Sequence, residues 1–248
     1  MVTDLDGTRL KQVKADVYVV ICIPSGIEVK ARTMHSLFKL ALCFCNSDFI
    51  RDGKPLTKAI GYVNQRGSIL PASRESSARQ ALMRQGVTHL LWLDSDMVFP
   101  DDIIHRLWSH NLDVVGANCP RKVLPVVPTC EKMDGSTMWT TDKSTGLEET
   151  RRIGFGVLLH KIDVLQKIAE PWFPFTYDHK VRGYDGEDTN FCRALQKAGI
   201  RMWVDHDVSK EIGHVGELVY EHCMNEEYRG GVSVPFEDLP GEKTEVAA

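Results

Sequence analysis

The chain contains no long apolar run. No segment approaches the roughly 20 consecutive apolar residues that a membrane-spanning helix needs. Residues 1–14 are polar and lack the apolar core of a signal peptide. We therefore expect a cytoplasmic protein with no transmembrane segment.

A strong charge of either sign is also missing. The sequence has 30 Lys and Arg residues against 34 Asp and Glu residues, which gives a formal net charge of −4. Such a charge provides no general attraction for nucleic acid or anionic lipid. The basic pairs Arg121-Lys122 and Arg151-Arg152 are local exceptions that suit contacts with phosphates.

Internal repeats and low-complexity tracts are absent, which excludes a repeat architecture. The seven cysteines are an odd number, and most of them lie inside apolar segments. We therefore expect reduced, mostly buried thiols. Cys43 and Cys45 stand two apart in a predicted helix and point to different faces, so they make a poor metal clip.

Segments with strand character alternate with segments of helical spacing along most of the 248 residues. This alternation predicts a largely parallel sheet with helices on both faces, joined by right-handed crossovers. The fold class that we expect is a Rossmann-like α/β/α sandwich with a mostly parallel central sheet. The predicted strands cover 15–24, 59–64, 88–93, 113–118, 154–160 and 201–204, and the predicted helices cover 29–45, 73–85, 101–110, 162–169 and 187–199.

The alternation stops between residues 123 and 150, where prolines and threonines are frequent and a Met133-Asp134-Gly135-Ser136 turn occurs. This region predicts a hairpin or loop excursion. We expect a polar extension over 1–14, a single domain over 15–229 and a mobile tail over 230–248.

Two carboxylates end the apolar strand that begins near Thr88. Asp94 and Asp96, separated by Ser95, follow this strand directly. Ligand sites of open α/β sheets lie beyond the carboxyl ends of the strands, and paired carboxylates suit Mg²⁺ or Mn²⁺ completed by substrate phosphates. The alternative is a polar turn ahead of the next helix.

Several further blocks occur in a characteristic order together with these carboxylates. The full set is Pro24-Ser25-Gly26, Ser73-Arg74-Glu75, Leu93-Asp94-Ser95-Asp96, Gly154-Phe155-Gly156, Gly186-Glu187-Asp188 and His214. With these blocks the chain resembles glycosyltransferases of the GT-A fold, and it is most similar to soluble family-2-like transferases that use nucleotide-diphosphate sugars.

The resemblance implies that the domain over 15–229 is catalytic, with a nucleotide-sugar half at about 15–122 and an acceptor half at about 123–229, in which the excursion over 123–150 contacts the acceptor. It also implies a donor site with a metal ion. Asp94 would contact the donor ribose or the water shell of the metal, Asp96 would ligate the metal directly, and His214 would supply a further ligand. The blocks around these residues add Pro24, Ser25, Arg74 and Ser95 as nucleotide contacts. Glu75 stands where the family commonly has asparagine, and this departure leaves open that Arg74 is a solvated arginine at a helix start.

The resemblance also implies a general base. In inverting members the aspartate of the matching Glu-Asp pair removes the acceptor proton, so Asp188 takes this role and Glu187 contacts the acceptor hydroxyl. A carboxylate at the start of a helix beside a pocket suits such chemistry. The alternative is that both residues only stabilise the first turn of the helix.

Two other assignments stay open in the sequence. Residues Asp205-His206-Asp207 are rival ligands to His214, although glycines on both sides of His214 favour a close approach to a ligand. Trp172 and Tyr184 either stack on a sugar face or belong to the core.

Together these features predict a metal-dependent, hexosyltransferase-like enzyme that moves a sugar from a nucleotide-diphosphate donor to an acceptor hydroxyl with inversion. A UDP-sugar is the expected donor, with Mn²⁺ or Mg²⁺ as the metal. The acceptor stays open between a glycan, a protein, a small molecule and a modified nucleic-acid base. The alternatives are a sugar-phosphate nucleotidyltransferase and a nucleotide-sugar-binding module without catalysis.

Overall fold

A computed structural model describes residues 13–179, 182–216 and 219–224. The expected mobile tail over 230–248 and nearly all of the polar extension over 1–14 lie outside the described residues.

The strands of the described residues are, in chain order, β1 (Val17–Ser25), β2 (Phe49–Arg51), β3 (Lys54–Leu56), β4 (Lys58–Arg66), β5 (His89–Leu93), β6 (Met97–Val98), β7 (Val114–Gly116), β8 (Leu147–Thr150), β9 (Val157–Lys161), β10 (Thr176–Asp178), β11 (Gly183–Asp185), β12 (Met202–Asp205), β13 (Gly213–Val215) and β14 (Val219–Glu221). The helices are α1 (Ala31–Asn46), α2 (Leu70–Leu82), α3 (Ile103–Ser109), α4 (Val164–Lys167), α5 (Glu187–Lys197) and α6 (His206–Ser209), and a 3₁₀ turn covers His222–Met224.

A seven-stranded sheet with the order β4-β1-β5-β9-β7-β12-β8 forms the centre of the molecule. Strands β1, β4, β5, β7 and β12 run in one direction, whereas β8 and β9 run against their neighbours. The predicted fold class, an α/β sandwich with a mostly parallel sheet, is confirmed. Strand β9 is an antiparallel member within this sheet, because it inserts between β5 and β7 in the opposite direction.

The central strands are buried on both faces because their side chains alternate between two apolar layers. In β1, Val19 and Ile21 point into one layer, whereas Val20 and Cys22 point into the other. Helices α2, α4 and α5 contribute to the layer of Val20, and helices α1, α3 and α6 contribute to the layer of Val19. Every residue of β1 is consequently buried.

The segment 123–150 forms the predicted excursion and returns as β8, which pairs antiparallel with β12 at the sheet edge. Three small sheets are absent from the sequence-based prediction. They are the hairpins β2–β3 and β10–β11 and the three-stranded sheet β14-β13-β6. Their strands have two or three residues, which is too short to show an alternating pattern.

Cys22, Cys119, Cys130 and Cys192 are buried, as expected for most of the cysteines. Among the described residues, none of the helices combines the length and the apolar character that crossing a bilayer requires.

A buried histidine ties two central strands together. Trp92 Nε1 of β5 donates to His160 Nε2 of β9 at 3.0 Å, and His160 Nδ1 donates to the carbonyl oxygen of Lys161 at 2.8 Å. Because Nε2 accepts while Nδ1 donates, the ring of His160 is neutral. Burial lowers the pKa of His160 to about 4, and it lowers the pKa of His89 and of His222 to about 4 as well.

These histidines predict a loss of stability at mildly acidic pH. Their pKa is lower in the folded chain than the unfolded value near 6.5, so the unfolded chain binds more protons as the pH falls. The free energy of unfolding should decrease between about pH 6.5 and pH 4, by up to about 1.4 kcal/mol per pH unit for each group. Urea unfolding at a series of pH values measures this slope.

The variant His160→Gln should reduce the slope, since it removes one titrating group and keeps an acceptor near Trp92. The exposed His35 provides the matched control, because His35→Gln should leave the slope unchanged. An unaltered slope in His160→Gln would contradict the assignment.

Candidate functional site

A cleft of about 590 Å³ lies at the carboxyl ends of β1 and β5. These strands are parallel neighbours, so the residues that follow them come together at one edge of the sheet. We call this the strand-end cleft. Its lining residues are Pro24, Ser25, Gly26, Gly67, Ser68, Leu70, Ser73, Asp94, Ser95, Asp96, Arg121, Lys122, Thr129 and His214.

The predicted carboxylates sit on a tight turn after β5. The Asp94 carbonyl accepts from the backbone N–H of Met97 at 3.3 Å, and the Asp94 N–H donates to the Gly156 carbonyl at 3.2 Å. A Cβ at Gly156 would lie 2.8 Å from the Cys119 sulfur, so close packing requires glycine at this position. The turn is therefore anchored to the segment that leads into β9.

Arg74 is not the solvated arginine that the sequence left possible. Its side chain is 2% exposed, its Nη2 donates to Asp94 Oδ1 at 2.8 Å, and its Nε donates to Glu187 Oε1 at 3.0 Å. The guanidinium also lies 4.6 Å from the ring centre of Phe155. It does not line the strand-end cleft, so its contacts are with Asp94 and Glu187.

Burial opposes the charge of Arg74, but the carboxylates of Asp94 and Glu187 outweigh this effect and raise its pKa. Arg74 therefore stays charged between the carboxylate of Asp94, at the end of β5, and that of Glu187, at the start of α5. One nitrogen, Nη1, is buried and bonds none of the residues that the structure describes.

A short three-stranded sheet brings His214 to Asp96. Strand β13 pairs antiparallel with β6, which begins directly after Asp96, and His214 stands opposite Met97. The N–H of Val215 donates to the Asp96 carbonyl at 2.7 Å. His214 Nε2 consequently lies 3.1 Å from Asp96 Oδ1.

The other nitrogen of His214 determines what Nε2 can do. Nδ1 lies 2.9 Å from the carbonyl oxygen of Pro120, and because a carbonyl only accepts, Nδ1 carries the proton. A hydrogen bond from Nε2 to Asp96 then requires the imidazolium form. The neutral ring instead presents a lone pair beside a carboxylate oxygen, as metal-binding histidines do.

Lys122 Nζ also bonds Asp96, at Oδ2. Burial raises the pKa of Asp96, but the hydrogen bonds from His214 and Lys122 prevail and lower it to about 2. Asp96 is therefore ionised at neutral pH. Lys122 lines this cleft and was not among the site residues predicted from the sequence, although the basic pair Arg121-Lys122 was a signal for it.

The residues present fit a divalent cation with few protein ligands. Asp96 and His214 converge on one point, and Mg²⁺ usually takes one or two carboxylates and completes its shell with water and phosphates. No cluster of three His, Cys, Asp or Glu side chains suited to a metal occurs in the part of the chain that the structure describes. A cation here would thus depend on substrate oxygens as well.

The rival segment Asp205-His206-Asp207 has structural partners. Asp205 Oδ1 accepts from the backbone N–H of Val208 at 2.9 Å and caps α6. His206 is buried, with Nε2 at 2.9 Å from Glu148 Oε2, and Asp207 accepts from the N–H of Gly146 at 2.8 Å. None of the three lines the strand-end cleft.

A second cleft of about 420 Å³ lies at the start of α5, and we call it the α5 cleft. Asp188 belongs to this cleft and not to the strand-end cleft. Asp188 Oδ1 accepts from the N–H of Thr189 at 2.7 Å, while Oδ2 bonds none of the described residues. The lining residues are Glu131, Arg151, Arg152, Tyr184, Asp185, Gly186, Asp188, Thr189, Cys192, Arg193 and Gln196.

The paired acidic residues of α5 face different surroundings. Glu187 is 8% exposed and bonds Arg74, whereas Asp188 lines the α5 cleft. The two aromatic residues that the sequence left open also differ in their exposure. Trp172 is 5% exposed and belongs to the core, and Tyr184 is 68% exposed at the α5 cleft.

No protein-family model matches the chain, and no curated protein sequence matches it. Among solved structures, the crystal structure of A197 from STIV resembles it with a TM-score of 0.55 at 18% sequence identity, covering 84% of this chain and 92% of that chain. This likeness shows a shared fold. The crystal structure of the nucleoside-diphosphate-sugar pyrophosphorylase from Vibrio cholerae RC9 is a weaker likeness, with a TM-score of 0.44 at 12% identity over 86% of this chain and 98% of that one.

The buried bridge predicts that Arg74→Met destabilises the protein strongly. The substitution leaves the buried Glu187 and the partly exposed Asp94 without their cation, and breaking a buried pair costs about 3–5 kcal/mol. Urea unfolding at pH 7 measures the loss.

Arg79 on the same helix is the matched control. Its side chain is 52% exposed and pairs with Glu75 and Glu170 at the surface, so Arg79→Met should cost much less. Equal losses in the two variants would contradict the structural role of Arg74.

Proposed function

We propose that this protein is a metal-dependent glycosyltransferase of the GT-A type that uses a UDP-sugar and transfers the sugar to an acceptor hydroxyl with inversion. One arrangement carries the proposal. Asp96 and His214 converge beside Asp94 at the strand ends, and Arg74 connects Asp94 to the helix that carries Asp188.

The strand-end cleft is the proposed donor site. Asp96 and His214 would hold Mn²⁺ or Mg²⁺, and the bound cation would neutralise the charge that develops on the leaving diphosphate. Lys122 and Arg121 line the same cleft and add positive charge on its wall. These basic side chains suit an anionic leaving group.

Pro24, Ser25 and Ser95 also line this cleft, and they would contact the nucleoside of the donor. Ser25 is held in place because the Asn64 side chain donates to its hydroxyl oxygen at 2.9 Å. Asp94 is fixed by Arg74 through Oδ1, which leaves Oδ2 for the donor ribose or for a metal-bound water. Arg74 itself acts through Asp94, so it is a positioning residue in this proposal.

Asp188 is the proposed general base. The acceptor oxygen forms a bond to the anomeric carbon while the bond from that carbon to the diphosphate oxygen breaks. The acceptor proton passes to Asp188, and the diphosphate leaves with the electron pair. Glu187 bonds Arg74 and thereby fixes the start of α5, on which Asp188 stands.

The first test is donor binding. The melting temperature should rise in the presence of UDP and MnCl₂ together, because a ligand that binds only the folded protein stabilises it. The variant Asp96→Asn should lose the manganese-dependent part of this rise, since it removes a charged ligand. A thermal-shift panel of nucleotides and nucleotide sugars measures the shifts.

Asp142 provides the matched control, because it is exposed on a loop and does not line the cleft. Asp142→Asn should retain the full shift. The same manganese-dependent shift in Asp96→Asn and in the unmodified protein would overturn the proposed metal site. A shift with UTP and a sugar phosphate but none with UDP would indicate a nucleotidyltransferase instead.

The second test concerns turnover. Asp188→Asn should lower the rate of UDP release from the donor that the panel selects by about 10²-fold or more, since general-base catalysis contributes about 10²–10⁴-fold. Binding of UDP and manganese should persist, because Asp188 lies in the α5 cleft. Coupled detection of UDP gives the rate.

Asp207, which stands in the first turn of another helix, is the control. Asp207→Asn should leave the rate of UDP release unchanged. A fully active Asp188→Asn protein would remove Asp188 from the proposed role.

A further inference from the structure

Three exposed aromatic rings lie together on the β10–β11 hairpin and on the residue that precedes it. Phe175 is 56% exposed, Tyr177 is 42% exposed and Tyr184 is 68% exposed. The rings of Phe175 and Tyr184 stack at 5.0 Å with an interplanar angle of 12°, and Tyr177 meets Tyr184 edge-on at 5.0 Å. We call these three rings the aromatic platform.

The platform adjoins the α5 cleft. Tyr184 lines this cleft together with Asp188, and β11 runs through Gly186 directly into α5. Exposed aromatic surface therefore adjoins the cleft of the carboxylate that the proposed function makes a general base.

The polar wall of the α5 cleft carries no net charge. Three arginines and three carboxylates line it, and most of them pair. Arg152 Nη2 lies 2.8 Å from Glu131 Oε1, and Arg193 Nη2 donates to Asp185 Oδ1 at 3.2 Å. A nucleic acid or an anionic lipid would need a surplus of positive charge, so this wall favours an uncharged ligand.

An uncharged ligand with many hydroxyls fits both the polar wall of the α5 cleft and the aromatic platform. Each sugar hydroxyl can accept a hydrogen bond from a guanidinium group of the wall and donate one to a carboxylate group. The C–H faces of a sugar ring are flat and apolar, and exposed aromatic rings bury such surface.

The Tyr177–Tyr184 pair also stabilises the hairpin, because these residues stand directly opposite each other in the antiparallel register. This role would tolerate any large apolar side chain. Recognition of a sugar requires a flat ring with an open face, and this difference separates the two roles experimentally.

We propose that the acceptor is a neutral saccharide, which binds with a sugar face on the aromatic platform and a hydroxyl at Asp188. The proposal rests on the proposed function. In the transfer step, the oxygen of that saccharide hydroxyl bonds the anomeric carbon of the donor, its proton goes to Asp188, and the nucleoside diphosphate leaves.

The experiment measures binding of the full chain to an array of neutral, sulfated and sialylated oligosaccharides, with a peptide array alongside. Neutral oligosaccharides should bind. Tyr184→Leu should weaken this binding about tenfold, as loss of one aromatic contact does, while Tyr184→Phe should retain it. Tyr62, which is 43% exposed on β4, is the matched control, and Tyr62→Leu should bind as the unmodified protein does.

Melting temperatures of all variants are measured with UDP and MnCl₂ as an independent readout of the donor site. Donor binding without binding of any neutral oligosaccharide would overturn the saccharide acceptor and leave the proposed function standing. Saccharide binding that Tyr184→Leu weakens, without a response to UDP and manganese, would overturn the proposed function alone. Equal saccharide binding by Tyr184→Leu and Tyr184→Phe, or binding to peptides or sulfated glycans only, would also overturn the proposal.

Discussion

The buried guanidinium of Arg74 holds the candidate site together. It connects Asp94 at the end of β5 with Glu187 at the start of α5, and it is almost completely removed from water. A buried charge is costly unless oppositely charged groups surround it, so the positions of all three residues depend on one another. The geometry of both clefts therefore follows from one ion-paired cluster, because Asp94 lines one cleft and Asp188, next to Glu187, lines the other.

The second constraint is the backbone pairing of β6 with β13. It fixes His214 beside Asp96 by main-chain hydrogen bonds rather than by side-chain contacts alone. Pro120 orients the imidazole by accepting from Nδ1. An imidazole and a carboxylate consequently converge at the strand ends before any ligand contributes, and such preorganisation lowers the cost of binding a charged ligand.

Much of the fold could be predicted from the sequence because its central elements have a clear local signal. The continuous apolar, β-branched run of β1 and the helical spacing of α1 and α5 need no knowledge of distant residues. The direction of β9 could not be predicted, since a strand buried on both faces looks the same in either direction. The hairpin that carries Tyr177 and Tyr184 was likewise missed, because its strands have only three residues each.

For the candidate site, the sequence by itself determined which residue types follow which strand, and this was enough to bring Asp94 and Asp96 to the cleft edge. Only the tertiary structure decided that Arg74 is buried, that Glu187 and Asp188 face different surroundings, and that Lys122 meets Asp96. The physical reason is that these facts are contacts between residues far apart in the chain. Packing and burial select such contacts, and local sequence patterns carry no information on them.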